Sequence, residues 1–229
     1  MRLSQTFDEV FGVCGIHPLY AGFNIDFYSY SLVEYTPQSR EEILNAMNDD
    51  NMVAYGEIGL DYHDFGPDYN YAGPELQKEI FISQMRDALD IGKPIVIHTR
   101  EAEEDTLSLM KQYIPRDWKL HVHCYTDTLE FAQTLISEFD NLYIGFSGVI
   151  TFKNARKLRN VVNELPIERI LAETGFKVVD FLRLDGPFMT PVPCRGTPAH
   201  PGHIPYIIES IAKTKVSVSY PNSLEGNRT

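Results

Sequence analysis

Strand-like and helix-like stretches alternate along nearly the whole chain, and that alternation limits what it can fold into. Apolar runs at Val10–Ile16, Met52–Ile58, the segment from Lys93-Pro94 to His98, Leu120–Cys124, Leu142–Phe146 and Ile170–Thr174 read as strands. Thr36-Pro37 opens a helix with a hydroxyl cap and a first-turn proline, and Ile43, Leu44 and Met47 share one of its faces. Pro74–Ile91 is the clearest helix: Leu76, Ile80, Phe81, Gln84, Ala88 and Leu89 follow its period, and Gly92 closes it. Ala102–Tyr113, Thr128–Phe139, Ala155–Leu165 and Ile204–Lys213 are the remaining helices, with Leu129, Ala132, Leu135, Ile136 and Phe139 inward on the second of these. Asn24–Glu34 and Asp61–Gly73 are irregular.

Six strand–helix repeats predict a parallel α/β sheet with right-handed crossovers, built as one domain over the 229 residues. No G-x-G-x-x-G or phosphate-binding loop follows the first strand, which favours a barrel over an open nucleotide-binding sheet. Six strands are two short of a (β/α)8 barrel, so the chain reads as an incomplete one, with open strand edges and a tendency to self-association. No apolar run approaches membrane length, the first residues lack the basic and apolar regions expected of a signal peptide, and Cys14, Cys124 and Cys194 show no disulfide or zinc-ribbon pattern. A cytoplasmic protein is expected, with the nucleus as the other compartment.

The net charge of −12 argues against a protein that coats nucleic acid electrostatically. It is compatible with an enzyme whose acidic ligands gather cations. In Ala54-Tyr55-Gly56-Glu57-Ile58-Gly59-Leu60-Asp61 a carboxylate stands in an apolar strand, where its desolvation demands a cation or strong donors. The flanking glycines leave room around Glu57. Two other strands end in histidine, at His98 and at His123, and carboxyl ends of parallel strands are where such folds place their sites. Glu57, His98 and His123 are therefore candidate metal ligands. His121 packs lower on the same strand, Asp61 orients a ligand or caps its loop, and Cys124 belongs to the core. His63 and His200 take no role.

The motifs Cys14-Gly15-Ile16-His17-Pro18, Gly56-Glu57-Ile58-Gly59-Leu60-Asp61, Pro94-Ile95-Val96-Ile97-His98-Thr99-Arg100, Val122-His123-Cys124-Tyr125 and Leu171-Ala172-Glu173-Thr174, in that order, make the chain resemble the TatD family of metal-dependent deoxyribonucleases over about Phe11 to Ile211. The resemblance implies a (β/α)8 barrel of the amidohydrolase type and 3′–5′ hydrolysis of DNA phosphodiesters with divalent Mg²⁺, Mn²⁺ or Zn²⁺. It makes Glu57 the carboxylate that bridges metals, His98 and His123 ligands of one of them, and Asp185 a ligand and general base. Glu173 matches the family's Glu-Thr-Asp run. For three residues two readings stand: Arg100 as phosphate clamp or exposed cation, His203 as phosphate contact or ordinary helix-start histidine, and His17 as a substrate-covering loop or a structural turn.

The chain departs from the family pattern in three places. No His-x-His pair precedes Val10, which implies about one tightly held ion rather than two. Gly175–Leu184 separates Glu173-Thr174 from Asp185; removing it restores Glu-Thr-Asp-Gly-Pro-Phe. Its β-branched and aromatic residues favour extension of the last strand, which would carry Asp185 off the site and impair activity. The polar tail after Ser217 lacks a final apolar helix. The alternatives are a catalytically inactive remnant of the family and an amidohydrolase acting on a small cyclic amide.

Overall fold

A computed structural model describes residues 6–7, 9–21, 35–64, 66, 72–175, 190–194 and 199–219. Among the described residues there are six strands: β1 (Gly12–Cys14), β2 (Met52–Asp61), β3 (Ile95–Arg100), β4 (Lys119–Val122), β5 (Asn141–Phe146) and β6 (Ile170–Ala172). The α-helices are α1 (Pro37–Ala46), α2 (Pro74–Asp90), α3 (Glu103–Tyr113), α4 (Leu129–Glu138), α5 (Arg156–Glu164) and α6 (Ile204–Ser219). Every recorded strand pair is parallel, as crossover helices require. Among the described residues no helix is long and apolar enough to cross a membrane.

The chain divides into two compact units, residues 1–123 with 135–142 and residues 124–134 with 143–229. In the first, β1, β2, β3 and β4 pair in chain order. Tyr55, Ile58 and Leu60 from β2, Ile95 and Ile97 from β3, and Phe81 and Met85 from α2 are fully buried there. Helix α1 starts as expected, with Thr36 and Ser39 forming a reciprocal cap. Leu76 does not face inward: it is 41% exposed, and Gln77 takes the buried position beside it.

Strand β2 runs past Ile58 to Asp61, so Glu57 sits within the strand and not at its end. Its pairing with β3 is irregular between Tyr55 and Ile58, then regular at Gly59–His98, Leu60–Thr99 and Asp61–Arg100. The glycines serve that pairing and not the space around the carboxylate. Gly59 has φ +150, and a Cβ there would lie 1.9 Å from the His98 carbonyl oxygen. A Cβ on Gly56 would lie 2.6 Å from Val96 Cβ.

In the second unit β5 and β6 pair through Ile144–Ile170, Gly145–Leu171 and Phe146–Ala172. Leu158, Val161 and Val162 of α5 and Ile207 of α6 fill its core. Lys215 of α6 donates to the carbonyls of Asn163 (2.9 Å) and Leu165 at the end of α5, where a cation complements the helix dipole. Strand β6 ends at Ala172, and residues 173–175 carry no strand. Phe176–Leu184 and Asp185 lie outside the described residues.

Candidate metal centre

In the first unit three imidazoles converge on one carboxylate. Glu57 Oε2 lies 3.1 Å from His98 Nδ1 and 3.3 Å from His17 Nε2, and Glu57 Oε1 lies 3.3 Å from His123 Nε2. His98 comes from β3, His123 from the residue after β4, and His17 from the turn after β1. Burial alone would raise the Glu57 pKa. Hydrogen bonds from His17 and His98 and the nearby His123 override it and hold the carboxyl well below the usual range. Glu57 is therefore an ionised acceptor in a half-buried site.

Asp61 is fully buried and fully engaged. Its Oδ1 accepts from Arg100 Nε at 2.9 Å and from the His63 backbone at 3.1 Å; its Oδ2 faces His98 Nε2 at 3.0 Å and an Arg100 amino group at 2.9 Å. Against the cost of burial, these partners hold its pKa below the carboxylate range. The β2–β3 register sets Asp61 beside Arg100, which puts the guanidinium on a carboxylate rather than reaching outward as a phosphate clamp. Ligand-capable atoms of His17, Asp61 and His98 lie within 4.8 Å of one another. Glu57 is nevertheless the better anchor for a cation, because Asp61 is already neutralised by Arg100 while Glu57 faces three imidazoles. Asp61 instead orients His98, the usual carboxylate–histidine support of a metal ligand.

The donor set fits a divalent ion. Two ligand atoms each about 2.0–2.2 Å from one ion stand roughly 3.0–3.5 Å apart at octahedral or tetrahedral angles. Each of the Glu57–His98 and Glu57–His123 separations, 3.1 and 3.3 Å, matches such an edge, but on opposite oxygens of the carboxylate: His98 meets Oε2 and His123 meets Oε1. Imidazole with carboxylate suits Zn²⁺ and Mn²⁺, and carboxylate alone Mg²⁺.

Two residues that fix this geometry carry no charge. Gln84 of α2 accepts from Ile16 N at 2.7 Å and donates to Ile16 O at 3.0 Å, pinning the turn that delivers His17. Gln77, two turns earlier on the same helix, does the same for Asp61 at 2.8 and 2.9 Å. The helical period puts Gln84 on the inner face among apolar residues and leaves Gln77 outside that stripe. The available signal was two amides seven residues apart at buried helical positions, which must find backbone partners.

The other candidates are placed as follows. His121 is on the same side of its strand as His123, with ring centroids 6.2 Å apart. His63 is not idle: its Nδ1 lies 2.5 Å from Glu101 Oε1. In the second unit the Glu173 carboxylate accepts from the Cys124 backbone N–H. His203 there is buried, its ring 3.8 Å from that of His200, so it packs at the start of α6.

The family profile described as TatD related DNase matches residues 1–220. The chain is 33% identical over 215 residues to the human 3′-5′ RNA nuclease TATDN2, a match covering 91% of this chain and 24% of that protein. It is 32% identical over 215 residues to the metal-dependent hydrolase YabD of Bacillus subtilis, covering 94% of this chain and 73% of that one. The crystal structure of YJJV, a TatD homologue from Escherichia coli, superposes with a TM-score of 0.71 at 24% identity, covering 93% of this chain and 72% of that one.

Proposed function

The chain belongs to the TatD-related family of metal-dependent hydrolases and has that family's fold, and from that premise we propose that it hydrolyses phosphodiester bonds in DNA from the 3′ end. In this reading the whole chain is one hydrolase domain, and Glu57, His98 and His123 hold a divalent ion. The observation that carries the reading is the convergence of the three imidazoles on Glu57 at 3.1–3.3 Å. A bound ion supplies Lewis-acid polarisation of a phosphoryl oxygen and makes water a better nucleophile near neutral pH.

The chain's own residues set that chemistry up. Glu57 stays ionised and supplies the negative charge that retains a cation. Asp61, locked by Arg100 and Gln77, holds the His98 ring so that Nδ1 faces Glu57. Asp185 is the proposed general base, by its place in the family motif. The name of the human relative favours a second reading, with RNA as the substrate.

The test is an assay on 5′-labelled single-stranded DNA and matched RNA, with Mg²⁺, Mn²⁺ or Zn²⁺, with and without chelator. Slow, chelator-sensitive shortening of DNA is expected. It falls by on the order of a hundredfold or more in Glu57→Gln and His98→Ala, and rises when Gly175–Leu184 is deleted so that Asp185 follows Thr174. Preference for the RNA strand would replace the substrate. Hydrolysis unaffected by Glu57→Gln, or none in either the natural chain or the deletion variant, would overturn the reading.

A further inference from the structure

Distance does not separate the three imidazoles around Glu57, which all lie 3.1–3.3 Å from its oxygens. The second ring nitrogen does separate two of them. His98 Nε2 faces the Asp61 carboxylate at 3.0 Å. With an ion in place the proton belongs on that nitrogen, and Nδ1, which donates to Glu57 when no ion is bound, turns its lone pair to the cation. His17 is the reverse case. Its Nδ1 accepts from the Leu19 backbone N–H at 3.2 Å. A backbone N–H can only donate, so Nδ1 carries the lone pair and Nε2 carries the proton, pointed at Glu57 Oε2.

We infer that His17 is a tautomer-locked hydrogen-bond donor to Glu57, a positioning residue for that carboxylate, and not a ligand of the ion; this rests on the reading of Glu57, His98 and His123 as the metal centre. To ligate through Nε2, His17 would have to move its proton to Nδ1. That would set two N–H donors against each other and remove the cap of the 3-10 turn Pro18–Tyr20. The surroundings resist a change. Pro18 opens the turn with its φ fixed and is buried, Gln84 clamps Ile16 on both sides, and the His17 ring meets His98 edge-on with centroids 4.3 Å apart. His17 thus holds Glu57 Oε2 in the orientation that the ion requires.

Two substitutions divide the roles of the ring. His17→Asn keeps a side-chain acceptor for Leu19 N–H but no longer reaches Glu57. His17→Gln keeps an N–H near the Nε2 position and gives up the cap. Long-range proton–nitrogen correlation spectra of the full chain, before and after Zn²⁺ addition, read the tautomer directly, with His17→Asn identifying the His17 signals. Calorimetric Zn²⁺ titration of the same proteins reads the affinity. The expected result is an Nε2-protonated His17 in both states, an ion stoichiometry unchanged in both variants, affinity about 10–100-fold weaker in His17→Asn, and affinity near wild type in His17→Gln. Loss of the Nε2 proton on Zn²⁺ binding, or loss of the ion in His17→Asn as complete as in His98→Ala, makes His17 a ligand and overturns the inference while the centre stands. Unchanged affinity in His17→Asn overturns it as well. A wild-type chain that takes up no ion removes the centre itself.

Discussion

Asp61 and His203 are both buried polar side chains, and they differ in what surrounds them. Asp61 is met on both oxygens, by Arg100, His98 and the His63 backbone. His203 Nδ1 has no hydrogen-bond partner among the described residues, and burial, then the neighbouring His200, hold its pKa below the ordinary 6.5. The folded state therefore binds fewer protons than the unfolded chain as pH falls through about 6.5, the unperturbed histidine value. Stability rises with pH where the unfolded state binds more protons, so it is lost on acidification through that window. We expect His203→Asn to lose less Tm than wild type between pH 7 and pH 5 in thermal melts. Equal losses would show that His203 titrates alike in both states. That Glu57, His98 and His123 meet was legible from their residue types on successive strands, although Glu57 and His98 lie within β2 and β3 and not at their ends. The use of Arg100 was not, because its partner is fixed by the β2–β3 register, which no local pattern in the sequence encodes.

At the scale of elements, α2 is the part that holds the site, through Gln77 and Gln84 rather than through its apolar stripe. Replacing Gln84 by Leu leaves the buried N–H and C=O of Ile16 unpaired. Each such group costs roughly 1–3 kcal/mol. Gln84→Leu is expected to lose about 2–4 kcal/mol in denaturant unfolding and to weaken ion binding by loosening the His17 turn. A loss below about 1 kcal/mol would mean that water replaces the amide. The order of strands and helices is legible because period and capping are local properties: Thr36-Pro37 and Gly92 mark helix boundaries in the structure. Local pattern misplaces Leu76 and the end of β2, because both depend on what the neighbouring element demands. Gln77 claims the buried slot to pair with Asp61. Gly59, whose backbone accommodates the close approach of His98, lets β2 run on. The same extension puts Glu57 inside the strand and not at its end.

At the scale of the molecule, the acidic balance of −12 suits a protein that gathers cations first and meets an anionic substrate through them. Phe7, Phe11 and Val13, around β1, are 53%, 58% and 50% exposed. An apolar cluster beside a short strand invites pairing with another chain. Sedimentation is expected to show concentration-dependent self-association that Phe11→Ser with Val13→Thr reduces. A monodisperse monomer at all concentrations would contradict this. The central claim is that one divalent ion sits among Glu57, His98 and His123. Anomalous diffraction at the manganese edge, from crystals grown with Mn²⁺, tests it most directly. The account predicts one peak roughly 2.0–2.3 Å from a Glu57 oxygen, His98 Nδ1 and His123 Nε2, with His17 outside bonding distance. No peak there, or a peak bonded to His17 or Asp61 in place of Glu57, would contradict it.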